Sequence, residues 1–299
     1  MSQIATMSNM QYQPQWVRED FVDFIAEKIN PVWAWKKVKA VVIKTRALSD
    51  DFYQIQLRPN RNFKHQQFKA GQSILVTVEI AGVRQQRSYS VVKFLDNGDI
   101  IIAVKQQGKV SNALTQLSFG HVVELSQAQG EFVLEQSTAP LLLIASGSGI
   151  TAIYSLLLET LTHSNRPVNL IYFSRDHAFH ADLEQLHQQN AQFHYHYINT
   201  VEQKQHLTLE LIQNLVPDFA QAQSYACGSS TMMKSAQQIF QDLDIADRLK
   251  QEYFQITVDE NLATQSVVFL RSQQEFEAKS SLLESAEQAG LKPTHGCRM

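Results

Sequence analysis

Leu141-Leu142-Leu143-Ile144-Ala145-Ser146-Gly147-Ser148-Gly149-Ile150-Thr151 is the stretch from which the fold can be read. The continuous apolar run after Pro140 predicts a strand buried on both faces, the habit of a parallel sheet covered by helices. Two glycines and a helical stretch, 151–162, follow at once. A helix start directly after such a strand gathers unpaired N–H groups and the positive end of the helix dipole where a phosphate can sit. Glycine lets backbone approach a pyrophosphate, and Thr151 adds a hydroxyl. Gly147, Gly149 and Thr151 are therefore candidate nucleotide-binding residues.

Downstream the same alternation continues. Strands at 168–173, 193–198 and 224–227 are separated by helices near 180–189, 208–215 and 231–242. This predicts a parallel sheet with helices on both faces over 138–252. Ser174-Arg175 ends the second strand, where a dinucleotide's adenosine ribose would meet the chain. An arginine there favours a 2′-phosphate, whereas an acid favours the free diol. NADPH is the expected donor and NADH the alternative, because Asp176 follows at once and could pair with Arg175 or accept from a ribose hydroxyl.

Upstream, 38–137 changes to short strands at 38–43, 52–57, 73–78, 88–92, 100–104 and 122–125, with turn signals such as Asp96-Asn97-Gly98 between them. Six short strands with tight turns predict a small antiparallel barrel. On the fourth lies Arg87-Ser88-Tyr89-Ser90. Alternation puts Arg87 and Tyr89 on one face and Ser88 and Ser90 on the other. A flavin needs a cation for its pyrophosphate, an aromatic group for its ring or ribityl chain, and a hydrogen bond near the reactive nitrogen, and Arg, Tyr and Ser have that chemistry.

Taken with Gly108-Lys109-Val110-Ser111-Asn112 and Gly130-Glu131-Phe132, the tetrapeptide resembles the flavin domain of the ferredoxin-NADP reductase family. The resemblance implies that the Arg-x-Tyr-Ser strand contacts FAD with Ser90 beside the flavin N5. It implies also that Gly108, Val110 and Ser111 open a short helix over the diphosphate. Cys227-Gly228-Ser229-Ser230 resembles the family's Cys-Gly-Pro segment, with Ser229 in place of proline, just as Ala152 replaces the proline usual after Thr151. The implied role of Cys227 and Gly228 is to align the nicotinamide by shape and polarity. Nucleophilic attack is not implied, since no basic partner for a thiolate is apparent. The mechanism implied is hydride transfer from NADPH C4 to FAD N5 and then single-electron steps.

From 254 the pattern reverts to strands, at 254–258 and 267–270, followed by a helix at 281–289 closed by Gly290. Family relatives often append a plant-type ferredoxin, and 253–299 resembles the first half of its β-grasp domain. Its cluster needs C-x4-C-x2-C and a distant fourth cysteine. Only Cys297 stands there, within Thr294-His295-Gly296-Cys297-Arg298-Met299. A 2Fe-2S centre is therefore expected only in a longer chain, of which this sequence would be a truncation. Reductase followed by ferredoxin looks most like proteins that feed fatty-acyl desaturases. A free-flavin reductase, the reductase component of a soluble oxygenase, and a non-catalytic flavin-binding redox-interaction protein are the alternatives.

Residues 1–37 lie outside the resemblance. Val17, Phe21, Phe24, Ile25 and Ile29 form one helical stripe, which is expected to pack on the first domain. Trp33, Trp35, Lys36, Lys37 and Lys39 follow, an aromatic-basic cluster suited to peripheral membrane contact through 17–39. At 299 residues, roughly two domains and a fragment of a third are expected. Lys plus Arg (26) nearly balances Asp plus Glu (29), which gives no footprint for nucleic acid. Two cysteines make a disulfide framework improbable and suit a reducing cytoplasm. His194 and His196 share a strand face, but without the companions that a zinc site needs.

Overall fold

The computed structural model describes residues 19–254, 264–269, 273–278 and 281–291. Strands β1 (Val38–Ala47), β2 (Phe52–Pro59), β3 (Ser73–Ile80), β4 (Val83–Phe94), β5 (Ile100–Lys105) and β6 (Val122–Leu125) close an antiparallel barrel in the order β1-β2-β5-β4-β3-β6. Alternation fills it. Ile74, Val76 and Val78 of β3 point inward, with Ile55 and Leu57 of β2 and Ile100, Ile102 and Val104 of β5. The short helix α2 (Lys109–Thr115) contributes Val110 and Leu114 to that core. One hairpin is fixed by the fully buried carboxylate of Asp99, which accepts from Arg58 Nε at 2.8 Å, Arg58 Nη2 at 3.0 Å and Gln56 Nε2 at 2.6 Å. These bonds hold its pKa below the usual carboxylate range although burial works the other way.

The second unit is a five-stranded parallel sheet in the order β11-β10-β7-β8-β9, from β7 (Leu141–Ser146), β8 (Val168–Ser174), β9 (Phe193–Asn199), β10 (Gln223–Cys227) and β11 (Leu249–Glu252). Helices α3 (Ile150–His163) and α4 (His180–Gln189) cover one face, and α5 (Leu209–Leu215) and α6 (Ser230–Asp242) the other. The chain leaves β7 toward β8 on one side and later returns beside β7 as β10. The switch point is thus at the carboxyl ends of β7 and β10, where open α/β sheets bind ligands. β11 is not foreseen from sequence: Leu249-Lys250-Gln251-Glu252 is a half-buried edge strand without an apolar run.

The two units share one core. Phe52, Val92, Ile101 and Ala103 of the barrel pack in the same cluster as Ile150, Ile153, Tyr154 and Leu157 of α3. The Gly71 N–H donates to Ser155 Oγ at 3.2 Å, and a Cβ on Gly71 would lie 1.9 Å from the Phe132 carbonyl oxygen. Tyr225 Oη accepts from the Glu135 N–H at 2.9 Å, tying the segment that leaves the barrel to the middle of the sheet.

Beyond Phe254 the described structure is a small hairpin, β12 (Gln265–Phe269) with β13 (Gln274–Ala278), and a helix, α7 (Leu282–Gln288). Phe276, Ala278 and Ala286 form its core, and Gly290 at φ +82° ends the helix as expected. Of the strand predicted at 254–258, residues 255–258 lie outside the described residues, as does Cys297. The hairpin partner is β13, which its polar residues conceal in the sequence.

Helix α1 (Glu19–Ile29) forms as predicted, with Val17 outside the described residues, but its stripe does not pack on the barrel. Phe21, Phe24, Ile25 and Ile29 are exposed while Asp23 is buried. Asp23 satisfies the Trp35 N–H at 2.7 Å and Lys37 at 3.4 Å, so the helix is attached through its polar face.

Packing at the switch point makes a stability prediction. A Cβ on Gly149 would lie 2.1 Å from the Cys227 carbonyl oxygen, whereas one on Gly108 would meet nothing within 4 Å. Gly149→Ala should cost about 1–3 kcal/mol in chemical denaturation, and Gly108→Ala far less. Equal costs would show that the β7 and β10 loops are not in contact.

Candidate functional site

The barrel and the sheet enclose a cleft of about 1450 Å³. That is larger than a typical single-ligand pocket of roughly 300–1,000 Å³. On the barrel side β4 pairs with β3 along Val83 to Ser90 but with β5 only from Val91 onward. Residues 87–90 therefore keep one open strand edge on the cleft, and all four border it in spite of their alternation. Ser88 Oγ donates to Ser73 Oγ at 2.9 Å. Arg87 Nη1 donates to the Gln86 carbonyl at 2.7 Å. Ser90 is 3% exposed, and its hydroxyl has no hydrogen-bond partner. A buried hydroxyl without a partner is costly unless a ligand completes it. The site thus suits a group with polar ring atoms at Ser90, stacking surface at Tyr89 and an anion near Arg87, as a flavin dinucleotide would supply.

At α2 the site departs from expectation in detail. Gly108, Val110 and Ser111 all border the cleft, but Val110 turns its side chain into the barrel core. Ser111 Oγ accepts from the Gln107 and Gly108 N–H groups, both at 3.0 Å, so its hydroxyl already caps the helix. Lys109 supplies an exposed cation beside them on the cleft.

On the sheet side the two loop glycines divide the work. Gly147 adopts φ +53° with open space where a Cβ would be and lines the cleft, which suits close approach of a phosphate. Gly149 does not line it. Its missing Cβ is what lets the helix start rest on the backbone of Cys227, and Gly228 in turn rests on Ser146. Thr151 Oγ1 donates to the Ser148 carbonyl at 3.0 Å and borders the cleft. Ala152 is fully buried within α3. Ser229 uses the hydroxyl that proline would lack: it lies 3.1 Å from Ser146 Oγ and accepts from the Met232 N–H as the cap of α6, while its own N–H donates to Ser146 Oγ at 2.8 Å. Both departures leave the loops closed upon each other.

Cys227 is fully buried in the shared core, and its side chain is not part of the cleft wall. Burial, with the nearby Glu252 carboxyl adding to it, pushes its thiol well above the ordinary value. A buried, protonated thiol is poorly suited to nucleophilic attack.

At the end of β8 lies a contact that sequence reasoning missed. Lys105, at the end of β5, donates to Asp176 Oδ2 at 2.9 Å across the two units. Asp176 Oδ1 accepts from the Ala178 N–H at 3.0 Å. Burial alone would raise its pKa, but Lys105 and this N–H hold it below the usual value. Its carboxylate is therefore committed to structure. Ser174 accepts from the Asp176 N–H at 3.3 Å, and Arg175 stays exposed on the cleft with Thr200 and His206.

Glu252, Tyr253 and Phe254 also border the cleft. Their signal is positional, since they follow a strand whose carboxyl end faces the switch point, but β11 has to be recognised first. Glu252 Oε2 is buried without a partner, and burial pushes its pKa up to about 7. Among the described residues no three His, Cys, Asp or Glu side chains gather as metal ligands.

Residues 39–134 match the oxidoreductase FAD-binding domain family and residues 143–238 the oxidoreductase NAD-binding domain family. An NADPH oxidoreductase of Mycobacterium tuberculosis is 28% identical over 286 residues, which cover 90% of this chain and 74% of that protein. A flavohemoprotein of Pseudomonas aeruginosa is 26% identical over 249 residues, 76% of this chain, and the chain spans only 63% of its length. Phthalate dioxygenase reductase, described as a modular structure for electron transfer from pyridine nucleotides to 2Fe-2S, superimposes with a TM-score of 0.60 at 21% identity. It covers 87% of this chain and 83% of its own.

Glu252 generates a pH prediction for the flavin-free protein. Its folded pKa lies above the unfolded one, so the native state holds the extra proton between about pH 4.5 and about 7, and stability falls as pH rises through that window. Glu252→Gln should match the parent's melting temperature at pH 4 and exceed it at pH 8. A constant difference across both pH values would contradict the burial of this carboxyl.

Proposed function

This chain is an NAD(P)H-dependent FAD oxidoreductase of the ferredoxin-NADP reductase family, and from that premise we propose that it takes electrons from NADPH in preference to NADH and delivers them to a redox acceptor protein. The observation that carries the donor preference is the Lys105–Asp176 ion pair. With the acid engaged, Arg175 is the charged side chain of this strand end left facing the cleft, and guanidinium binds a 2′-phosphate in charge-assisted, bidentate fashion.

Each site residue then has a role. Gly147 and Thr151 receive the nucleotide pyrophosphate at the start of α3, and Gly149 and Cys227 keep that loop against Gly228 so that the nicotinamide end has a fixed wall. Arg87 and Lys109 offset the flavin pyrophosphate, Tyr89 stacks, and Ser90 directs its hydroxyl to the reactive edge. Bound flavin supplies two-electron acceptance and one-electron release. The residues supply alignment and exclusion of water.

The division into 1–37, 38–137, 138–252 and 253–299 belongs to this reading. The hairpin and helix of 265–288, together with the likeness to phthalate dioxygenase reductase, support a ferredoxin-like third unit. The residues present do not fit a 2Fe-2S centre: the chain has two cysteines, one of them buried in the nucleotide unit, where a plant-type cluster takes four. The acceptor is therefore a separate redox protein, a haem or iron-sulfur oxygenase or a fatty-acyl desaturase.

Arg175→Ala should raise KM for NADPH about tenfold or more, the worth of a lost charge-assisted hydrogen bond, and leave KM for NADH unchanged. Equal loss with both donors would contradict the 2′-phosphate role.

A further inference from the structure

Helix α1 is built inside out. Its apolar residues fall at i, i+3, i+4 and i+8, the spacing of a buried face, yet Phe21, Phe24, Ile25 and Ile29 are 64%, 54%, 45% and 70% exposed. Two of its acids are paired with the segment that follows. Asp23 is engaged by the Trp35 N–H and Lys37, and Glu27 by the Lys39 ammonium, which also donates to the Pro31 carbonyl at 3.3 Å.

The turn that follows is clamped by its backbone. Asn60 Nδ2 donates to the Val32 carbonyl at 3.1 Å and Asn62 Nδ2 to the Ala34 carbonyl at 3.0 Å. Trp33 and Trp35 nevertheless extend outward, 54% and 49% exposed, and with Val22 and Ala26 they line a groove of about 550 Å³ between helix and turn. Six large apolar side chains within residues 21–35 are thus exposed together, as on an interaction surface.

Charge identifies the occupant. Lys37 and Lys39 are turned inward, but three cations stand at the surface beside the rings: Lys28 Nζ lies 5.3 Å from the Phe24 ring centre, Lys36 Nζ 5.9 Å from Trp35, and Arg61 is exposed on the loop that carries Asn60 and Asn62. Asp23 is buried against Lys37, and Glu27, though exposed, is paired with Lys39. A second copy of this chain docked here by twofold symmetry would bring two cationic rims together. Exposed tryptophans at headgroup depth, an apolar helix face below them and lysines beside them are what an anionic bilayer surface binds. Among the described residues no helix is long and apolar enough to cross a membrane, so contact would be from one side.

We propose that α1 and the Trp33–Trp35 turn form a peripheral docking surface for an anionic lipid bilayer. It depends on neither the flavin nor the nucleotide site.

The test is co-sedimentation of the flavin-loaded full chain with phosphatidylcholine vesicles and with vesicles that also contain phosphatidylglycerol. Expected is binding to the anionic vesicles with a blue shift of tryptophan emission. A Phe24→Glu/Ile29→Glu variant should lose about tenfold or more of that binding, and Lys28→Glu and Lys36→Glu about fivefold each. NADPH-driven flavin bleaching should be the same in all variants, and because it is read separately, failure of docking and failure of the proposed function are distinguishable. Protein that stays in the supernatant with both vesicle types overturns the proposal. So does a solution dimer that Phe24→Glu/Ile29→Glu dissociates, which would assign the surface to a second copy.

Discussion

The structure depends on one helix serving two units. Nine of the 14 residues of α3 are buried, because the sheet lies on one side of it and the barrel on the other. Only a helix apolar on nearly all sides can be shared in this way. The sharing holds the open edge of β4 opposite the loops of the switch point. Close backbone approaches fix the fit: Gly71 against Phe132, Gly149 against Cys227 and Gly228 against Ser146. A side chain at any of the three would separate surfaces that the cleft needs together.

The cleft follows from this packing more than from any single motif. Arg87 to Ser90 reach it because β5 withdraws from β4 before Val91, which frees a strand edge. Gly147 and Thr151 reach it because α3 begins where β7 ends. The Lys105–Asp176 bridge spans both units at its margin and engages the acid next to Arg175. Ser90 and Glu252 keep buried oxygens without partners on opposite walls. Buried polar atoms are usually paired, by protein, water or ligand.

Much of this was legible in the sequence. The apolar run of β7, the alternation after it and the short strands before it announce a barrel followed by a parallel sheet, since each pattern reflects which faces are buried. Elements that break the pattern were hidden. β11 is a polar edge strand, and β13 has only Phe276 and Ala278 to bury. The stripe of α1 was visible but its direction was not, because periodicity shows that one face is apolar without saying what covers it. At the site the sequence pointed to residues whose long-range contacts it could not show. Gly149 serves packing, Ser111 a helix cap and Asp176 an ion pair, and each of these depends on a partner distant in the chain.

The central claim is that this cleft brings a flavin and a pyridine nucleotide together for direct electron transfer. The most direct measurement is an anaerobic titration of the flavin-loaded protein with NADPH, following the visible flavin band of the parent and of Ser90→Ala. The account predicts complete bleaching of the parent by about one equivalent, as two-electron chemistry requires, and a bleaching rate lowered at least tenfold in Ser90→Ala with flavin still bound. Tightly bound flavin whose spectrum does not respond to NADPH would contradict it.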